Sequence, residues 1–313
     1  MTLAFVFPGQ GSQTVGMGSD LADNFQAARE VFAEVDDALG QKLSQLMREG
    51  PESDLTLTEN AQPALMAVSM AVVRVLKADF GVDIAKAAFV AGHSLGEYSA
   101  LAAAEAFSLT DTARLLKLRG QAMQRAVPVG VGAMAALIGK ADLELAEAAC
   151  QAGSSAGVVV VANDNNAGQI VISGAKAAVE LAIEKAKELG AKAMLLNVSA
   201  PFHCPLMQPA ADEMQVALGK VTILQPKSTL VANVSARPVS DVAQIAPLLV
   251  EQVTGRVRWR ESVQWLSGEG AVTQFAELGA GKVLTGMIKR IAPDATALAL
   301  NNAADFEAFA ASL

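Results

Sequence analysis

Apolar residues along this chain follow two patterns: short uninterrupted runs typical of buried strands, and longer stretches with the spacing of helices. In the first third the two alternate, with strands at 3–7 and 86–91 and helices around 22–40, 62–77, 97–105 and 110–126. Strands that alternate with helices form parallel sheets. This part of the chain therefore predicts a parallel α/β core.

A different order begins after Pro128. The pattern there predicts strand, helix, strand, strand, helix and strand, at 132–139, 141–152, 157–162, 169–173, 176–189 and 193–198. A turn-rich segment, 163–168, separates the two middle strands. This order is that of the ferredoxin-like split βαβ motif. We therefore expect a small ferredoxin-like subdomain at 128–198, inserted into a large subdomain made of 1–127 and 199–313.

The alternation of strands and helices then resumes towards the end of the chain. Strands are predicted near 228–233 and at 272–277, and helices near 242–253, near 260–268 and at 282–291. The predicted fold class is α/β, with an α/β-hydrolase-like parallel-sheet core and an inserted ferredoxin-like subdomain.

Composition narrows the class of protein. The chain has 313 residues, of which 52% are hydrophobic, enough for a sizeable core. Its formal charge of −8 argues against nucleic-acid binding, which needs a basic surface. The apolar run 64–76 contains Arg74 and is too short to span a bilayer. Cys150 and Cys204 fit neither a zinc site nor a disulfide framework, so we expect a cytoplasmic protein without a metal site.

The segment Gly92-His93-Ser94-Leu95-Gly96 is the main candidate for chemistry. It follows the strand-like run 87–91 and precedes the helix-like run 97–104. Strand, tight turn and helix form the context of a nucleophile elbow, in which Ser94 is the nucleophile. The helix N-terminus there favours developing negative charge. An ordinary glycine-rich turn is the alternative.

Serine needs a base to accept its proton, and the chain has only two histidines. His93 adjoins Ser94 in the turn. Because successive side chains point apart there, His93 is poorly placed to act as the base for Ser94. His203 lies in a loop between Pro201 and Pro205 and is our candidate base. Cys204 competes as a nucleophile, but adjacent residues rarely form a dyad, and we expect a small buried thiol there.

Acyl transfer also needs N–H donors for the oxyanion. The elbow supplies the N–H of Leu95, and the glycine-rich turn 7–13 after the first strand is a candidate source of a second donor.

Arg119 is the candidate residue for contact with a substrate. Its helical neighbours are Leu115, Leu116, Ala122 and Met123, so its guanidinium faces the core. A buried guanidinium must be paired and suits bidentate binding of a carboxylate. Two alternatives stay open, an acyl substrate with a free carboxylate and an internal ion pair with a buried Asp or Glu.

Taken together, the motifs resemble the malonyl-CoA:acyl carrier protein transacylase family, the acyltransferases of fatty acid and polyketide synthesis. The resemblance covers nearly the whole chain. It rests on the ordered set of segments 7–13, 92–98, 119–123, 169–174, 201–203, 233–236 and 279–290.

The resemblance implies a role for each matching residue. Ser94 would be the acyl nucleophile, His203 its base, and Gln10 and Leu95 the sources of the oxyanion-hole N–H groups. Arg119 would bind the malonyl carboxylate, and the backbone carbonyl of Gln252 would orient the histidine. The residue before the histidine, Phe202, resembles the version associated with malonyl rather than methylmalonyl units.

The chain departs from the family pattern at four positions. Ala167, Ala280 and Arg256 stand where the family usually has proline, and Asp164 replaces an aromatic or apolar residue. These changes affect expectations for loop rigidity and carrier docking rather than for catalysis.

The resemblance implies a ping-pong transfer of malonyl from malonyl-CoA to the phosphopantetheine thiol of acyl carrier protein, for fatty acid biosynthesis, with no cofactor. We expect a monomer whose acidic carrier protein docks on Lys282, Lys289 and Arg290, without nucleic-acid or membrane partners. Three alternatives are a serine hydrolase or thioesterase, a polyketide-pathway acyltransferase, and a non-catalytic binding member of the fold.

Overall fold

The computed structural model describes residues 2–313 and contains two β-sheets. The strands are β1 Leu3–Phe7, β2 Phe89–Gly92, β3 Gly132–Ile138, β4 Val159–Asn166, β5 Gln169–Ala175, β6 Lys192–Leu195, β7 Thr229–Val231, β8 Gln274–Leu278 and β9 Thr296–Leu300. The helices before β3 are α1 Ser19–Asn24, α2 Gln26–Leu39, α3 Leu43–Glu49, α4 Glu52–Leu55, α5 Thr58–Phe80, α6 Gly96–Ala103 and α7 Leu109–Ala126. Those after β3 are α8 Leu143–Gly153, α9 Lys176–Glu188, α10 Gln208–Leu218, α11 Ile245–Thr254, α12 Trp259–Ser267, α13 Val283–Ile291 and α14 Ala303–Ala311.

The larger sheet has the strand order β7-β2-β1-β8-β9, and all its neighbouring strands are parallel. Strand β1 lies at its centre and is buried along its whole length. Because side chains alternate along a strand, Phe5 and Phe7 pack into the core on one face, and Ala4 and Val6 into the core on the other. In the register of β1 with β2, Phe7 lies beside Gly92. The turns that follow these two strands therefore meet at the carboxyl edge of the sheet.

The smaller sheet has the order β4-β5-β3-β6, with every neighbouring pair antiparallel. Helices α8 and α9 pack on it around a separate apolar core. This is the arrangement of the ferredoxin-like motif. The predicted fold class, a parallel α/β core with a small antiparallel subdomain, is therefore confirmed. The strands of this sheet lie between residues 132 and 195; the subdomain boundaries at 128 and 198 stay a proposal.

The segment 163–168 differs from its prediction as a turn. Strand β4 continues through Asn166, and only Ala167 and Gly168 connect it to β5. The polar side chains of the segment are buried, and two of them have distant partners: Asp164 pairs with Arg260, and Asn165 Oδ1 lies 2.8 Å from His93 Nε2. Composition predicted a turn, but these tertiary partners stabilise a strand.

Five elements were not predicted from the pattern: α3, α4, α10, β9 and α14. Strand β9 has the sequence Thr-Ala-Leu-Ala-Leu, whose alanines give little strand signal, and its pairing with β8 supplies the missing stability. Within residues 2–313, no helix has both the length and the apolar composition needed to cross a membrane.

Candidate active site

Ser94 lies in a sharp turn between β2 and α6. Its backbone is left-handed, with φ of 54°, a strained conformation for a residue with a side chain. The flanking glycines permit the turn by close approach. A Cβ on Gly92 would lie 1.9 Å from the Gly96 carbonyl carbon, and one on Gly96 would lie 2.2 Å from the Phe7 carbonyl oxygen. The segment predicted as a nucleophile elbow therefore has the strand, turn and helix geometry that exposes a serine hydroxyl.

Asn233 fixes this turn from the end of β7. The backbone N–H of Ser94 donates to Asn233 Oδ1 at 2.8 Å, and Asn233 Nδ2 donates to the Gly92 carbonyl at 2.7 Å. Asn233 is buried. One amide thus satisfies two backbone groups that the turn leaves without partners.

The imidazole of His203 reaches Ser94 from a loop 109 residues further along the chain. Ser94 Oγ lies 2.7 Å from His203 Nε2, and His203 Nδ1 lies 2.8 Å from the backbone carbonyl of Gln252. A carbonyl only accepts hydrogen bonds, so Nδ1 carries the proton and Nε2 accepts from the serine hydroxyl. This is the arrangement of a serine and its general base, with a carbonyl orienting the ring.

The surroundings of His203 favour its neutral form. Burial, followed by the nearby positive charge of Arg119, lowers its pKa to about 3, and the hydrogen bond to Gln252 opposes this only in part. A neutral imidazole is ready to accept a proton at neutral pH.

The side chain of Gln252 joins three parts of the site. Its Nε2 donates to the Ser94 carbonyl and to Glu97 Oε2, both at 2.8 Å, and its Oε1 accepts from Arg119 Nη2 at 2.8 Å. Glu97 is buried, which raises the pKa of its carboxyl to about 7, although the bonds from Gln252 and Asn233 work in the opposite direction.

Arg119 enters the site from α7, with its side chain buried as the helical spacing predicted. Its Nη2 lies 3.2 Å from Ser94 Oγ, and its Nη1 donates to Gln62 Oε1 at 2.7 Å. In the described part of the chain Arg119 has no carboxylate within ion-pair distance. The alternative of an internal ion pair with Asp or Glu is therefore wrong.

The two residues expected to supply the oxyanion donors, Gln10 and Leu95, lie in the same cavity as Ser94. Among the hydrogen bonds found for residues 2–313, neither backbone N–H donates to a protein acceptor. The Gln10 side chain is held in place, since its Oε1 accepts from Thr58 Oγ1 at 2.7 Å. Two N–H groups without a protein acceptor, on residues that line the cavity of the serine, suit the stabilisation of an oxyanion.

The rival groups have other partners. His93 is turned away from Ser94 and bonds to Asn165, and burial lowers the pKa of its imidazole. Cys204 is buried, its thiol lies 3.0 Å from the Pro201 carbonyl, and burial raises its pKa. Neither arrangement suits a base or a nucleophile acting in place of His203 or Ser94.

Ser94, His203 and Arg119 open into one cavity of about 810 Å³. Part of its wall comes from the antiparallel sheet and the segment after its last strand, through Met134, Asn165, Val171 and Asn197, among others. The cleft therefore lies between the two sheets and is large enough for an extended substrate. Nowhere in residues 2–313 do three or more His, Cys, Asp or Glu side chains cluster as metal ligands would.

The sequence alone did not predict a functional role for three residues of the site: Gln62, Glu97 and Asn233. Gln62 is a polar residue in the long, almost wholly buried helix α5, which is a detectable signal. Its partner Arg119 lies 57 residues away, so the pattern alone does not identify the contact.

The basic residues expected to dock the carrier protein are exposed. They are Lys282, directly before α13, and Lys289 and Arg290 on it. The same helix lines the cavity with Val283, Leu284 and Met287. Two of the residues that depart from the family pattern form ion pairs. Asp164 is fully buried and receives a bidentate hydrogen bond from Arg260, whereas Arg256 forms a partly exposed ion pair with Glu147. The buried acid is thus accommodated by a charged partner.

Comparison with known proteins places the chain among acyltransferases. A family model described as an acyl transferase domain matches residues 4–298. The malonyl CoA-acyl carrier protein transacylase of Haemophilus influenzae is 45% identical over 306 residues, 97% of this chain and 97% of that protein.

Solved structures agree with this similarity. An acyl-carrier-protein-S-malonyltransferase from Bartonella henselae superposes with a TM-score of 0.97 at 57% identity, covering 100% of this chain and 99% of that one. A malonyl-transacylase in complex with its type II PKS acyl-carrier protein superposes with a TM-score of 0.96 at 42% identity, covering 100% of both chains.

Proposed function

The chain belongs to the acyl transferase family, and we propose that it transfers the malonyl group of malonyl-CoA to the phosphopantetheine thiol of an acyl carrier protein. The product would supply extender units for fatty acid biosynthesis. The observation that carries the proposal is the position of Arg119, whose guanidinium lies 3.2 Å from the Ser94 hydroxyl oxygen and has only neutral partners. A nucleophile and an unpaired buried cation in one cavity suit an acyl group that ends in a carboxylate.

The first half-reaction loads the serine. Ser94 Oγ attacks the thioester carbonyl of malonyl-CoA while His203 Nε2 takes the hydroxyl proton. The backbone N–H groups of Gln10 and Leu95 stabilise the oxyanion. When the tetrahedral intermediate collapses, the C–S bond breaks and His203 returns the proton to the sulfur of coenzyme A.

The second half-reaction transfers the malonyl group from Ser94 to the carrier protein. The phosphopantetheine thiol gives its proton to His203 and attacks the ester carbonyl of malonyl-Ser94. The C–O bond then breaks, and Ser94 recovers the proton from His203. Malonyl-CoA and carrier thiol become coenzyme A and malonyl-carrier, with no net change in protons.

Three residues prepare the site for both steps. The Gln252 carbonyl keeps the His203 ring in the tautomer that accepts from serine. Asn233 holds the elbow through Ser94 N and the Gly92 carbonyl. Arg119 binds the malonyl carboxylate and so places the thioester beside Ser94, which is a positioning effect as well as a binding one.

The scheme uses side chains, backbone N–H groups and the two substrates, and it calls for no cofactor. A cytoplasmic location and a monomeric state stay predictions; the free thiols of Cys150 and Cys204 are typical of a reducing compartment.

Intact-mass measurement tests the function. Incubation of the enzyme with malonyl-CoA and phosphopantetheinylated carrier protein should add one malonyl group to the carrier and release coenzyme A. Carrier lacking the phosphopantetheine arm is the matched control and should stay unmodified. Release of free malonate with no change in carrier mass would contradict the proposal and favour a hydrolase.

A further inference from the structure

Arg119 is a buried arginine held by neutral groups. Its Nη1 donates to Gln62 Oε1 at 2.7 Å and its Nη2 to Gln252 Oε1 at 2.8 Å, while its Nε has no hydrogen-bond partner within residues 2–313. Buried charges are normally paired with an opposite charge. Here the protein orients the guanidinium with two amide oxygens and leaves its charge unneutralised.

The Glu97 carboxylate is kept out of direct contact with Arg119. Its Oε2 accepts from Gln252 Nε2, and the other end of the same amide accepts from Arg119. Gln252 therefore lies between the buried carboxyl of Glu97 and the buried guanidinium of Arg119. The raised pKa of Glu97, about 7 because of burial, further reduces its negative charge.

Gln62 has the position but not the charge of an ion-pair partner. Helices α5 and α7 pack closely at Gly120, where a Cβ would lie 2.5 Å from the Glu59 Cα, and this approach brings Gln62 to the guanidinium. The Gln62 Nε2 has only the Met123 sulfur, 3.8 Å away, as a partner. Because thioether sulfur is a weak acceptor, a glutamate of the same shape would lose little hydrogen bonding.

We infer that Gln62 is a specificity-determining positioning residue, which aims Arg119 at the acyl site while leaving its positive charge for the carboxylate of the incoming acyl group. This inference rests on the proposed function. A glutamate at this position would neutralise Arg119 internally, so that the site would no longer favour an acyl group carrying a carboxylate over one without it.

Two substitutions separate charge from shape. Gln62→Glu keeps the size and adds a negative charge, whereas Gln62→Met keeps neutrality and removes the acceptor. Rapid-quench acylation of Ser94 is measured with malonyl-CoA and with acetyl-CoA, and kcat and KM are determined for each. Thermal unfolding of each variant reports on folding.

The two variants should change the malonyl-to-acetyl ratio of kcat/KM to different extents. Gln62→Glu should lower the malonyl-to-acetyl ratio of kcat/KM by about tenfold or more, mainly through a higher KM for malonyl-CoA. Gln62→Met should lower the ratio by about threefold and still favour malonyl, because the cation stays unneutralised but is less well aimed. In an Arg119→Gln background, Gln62→Glu should change the ratio no further.

Each failure has its own meaning. A wild-type enzyme with no malonyl preference would contradict the role of Arg119 in the proposed function. A wild-type preference that persists in Gln62→Glu would overturn the inference about Gln62 alone. Parallel losses with both substrates, equal for Glu and Met, would also overturn it, since they would indicate a purely structural role. If Gln62→Glu does not fold, an unchanged ratio in Gln62→Met overturns the inference.

Discussion

The guanidinium of Arg119 and the hydroxyl of Ser94 lie within 3.2 Å of each other, although the two residues come from different helix–strand units. A substrate carboxylate bound to Arg119 would therefore place its acyl carbonyl within reach of the serine. The relationship ties substrate choice and chemistry to one location.

The first prediction concerns acyl selectivity. Arg119→Ala should reduce the malonyl-to-acetyl ratio of Ser94 loading by about tenfold or more, since charged hydrogen bonds of about 1.5–3 kcal/mol are lost. Loading is measured by intact mass with each acyl-CoA. Arg114→Ala removes an exposed arginine from the same helix and should leave the ratio unchanged. An unchanged ratio in Arg119→Ala would mean that another group recognises the carboxylate.

The second prediction concerns pH. Only neutral His203 accepts the serine proton, so activity is lost as pH falls through its pKa, which burial and Arg119 lower to about 3. The kcat/KM for acylation by malonyl-CoA should therefore stay near its maximum at pH 5.5, where an ordinary histidine is mostly protonated. Stopped-flow assays across pH, with circular dichroism to monitor folding, test this. A half-maximal rate near pH 6.5 would contradict it.

The third prediction concerns stability. The pKa of Glu97 in the fold is about 7, above its ordinary 4.5, so its contribution to stability is fully present below pH 4.5 and is lost as pH rises through 7. Glu97→Gln does not titrate. Between pH 4.5 and 7, the free energy of unfolding of the wild type should therefore fall relative to that of Glu97→Gln, by at most about 3 kcal/mol. Urea titrations at several pH values measure the difference.

Glu277→Gln is the contrasting variant for that experiment. Both oxygens of Glu277 accept hydrogen bonds, from the backbone N–H groups of Leu284 and Thr285 and from the Thr285 hydroxyl. The NH₂ group of a glutamine there would face one of these donors in place of an acceptor oxygen. This variant should therefore be less stable than wild type at every pH tested. If Glu97→Gln behaves in the same way, the carboxylate of Glu97 is needed and the prediction is wrong.

The fourth prediction concerns the carrier protein. Lys289 and Arg290 are exposed on α13, which also lines the cavity, and their positive charges suit an acidic partner. Lys289→Glu should raise the KM for the carrier several-fold while acylation by malonyl-CoA is unchanged. Lys86→Glu makes the same charge change at the opposite edge of the parallel sheet, before β2, and is the control. Equal effects of the two variants would remove this surface from the proposal.

Much of the fold and the central pair of the site were predictable from sequence because their signals are local. The elbow glycines specify a turn that a Cβ would block, and the apolar run before them specifies a strand. His203 followed from the scarcity of histidines. The inward orientation of Arg119 followed from helical spacing.

The remaining features depend on contacts between distant segments. Asn163 to Asn166 are turn formers by composition, yet Arg260 and His93 hold two of them in a buried strand. The partner of Arg119 could have been an acid or a substrate from the sequence alone, and the packing of α5 against α7 supplies Gln62 instead. Pairings over 57 or more residues leave no periodic trace in the chain.

Transfer through malonyl-Ser94 is tested most directly by the intact mass of the enzyme after brief exposure to malonyl-CoA without carrier protein. One added malonyl group is expected on the wild-type enzyme and on Ser12→Ala, which removes another hydroxyl of the same cavity. No added mass is expected on Ser94→Ala. An adduct that persists on folded Ser94→Ala, or a wild-type enzyme that never acquires one, would contradict transfer through a malonyl-serine intermediate.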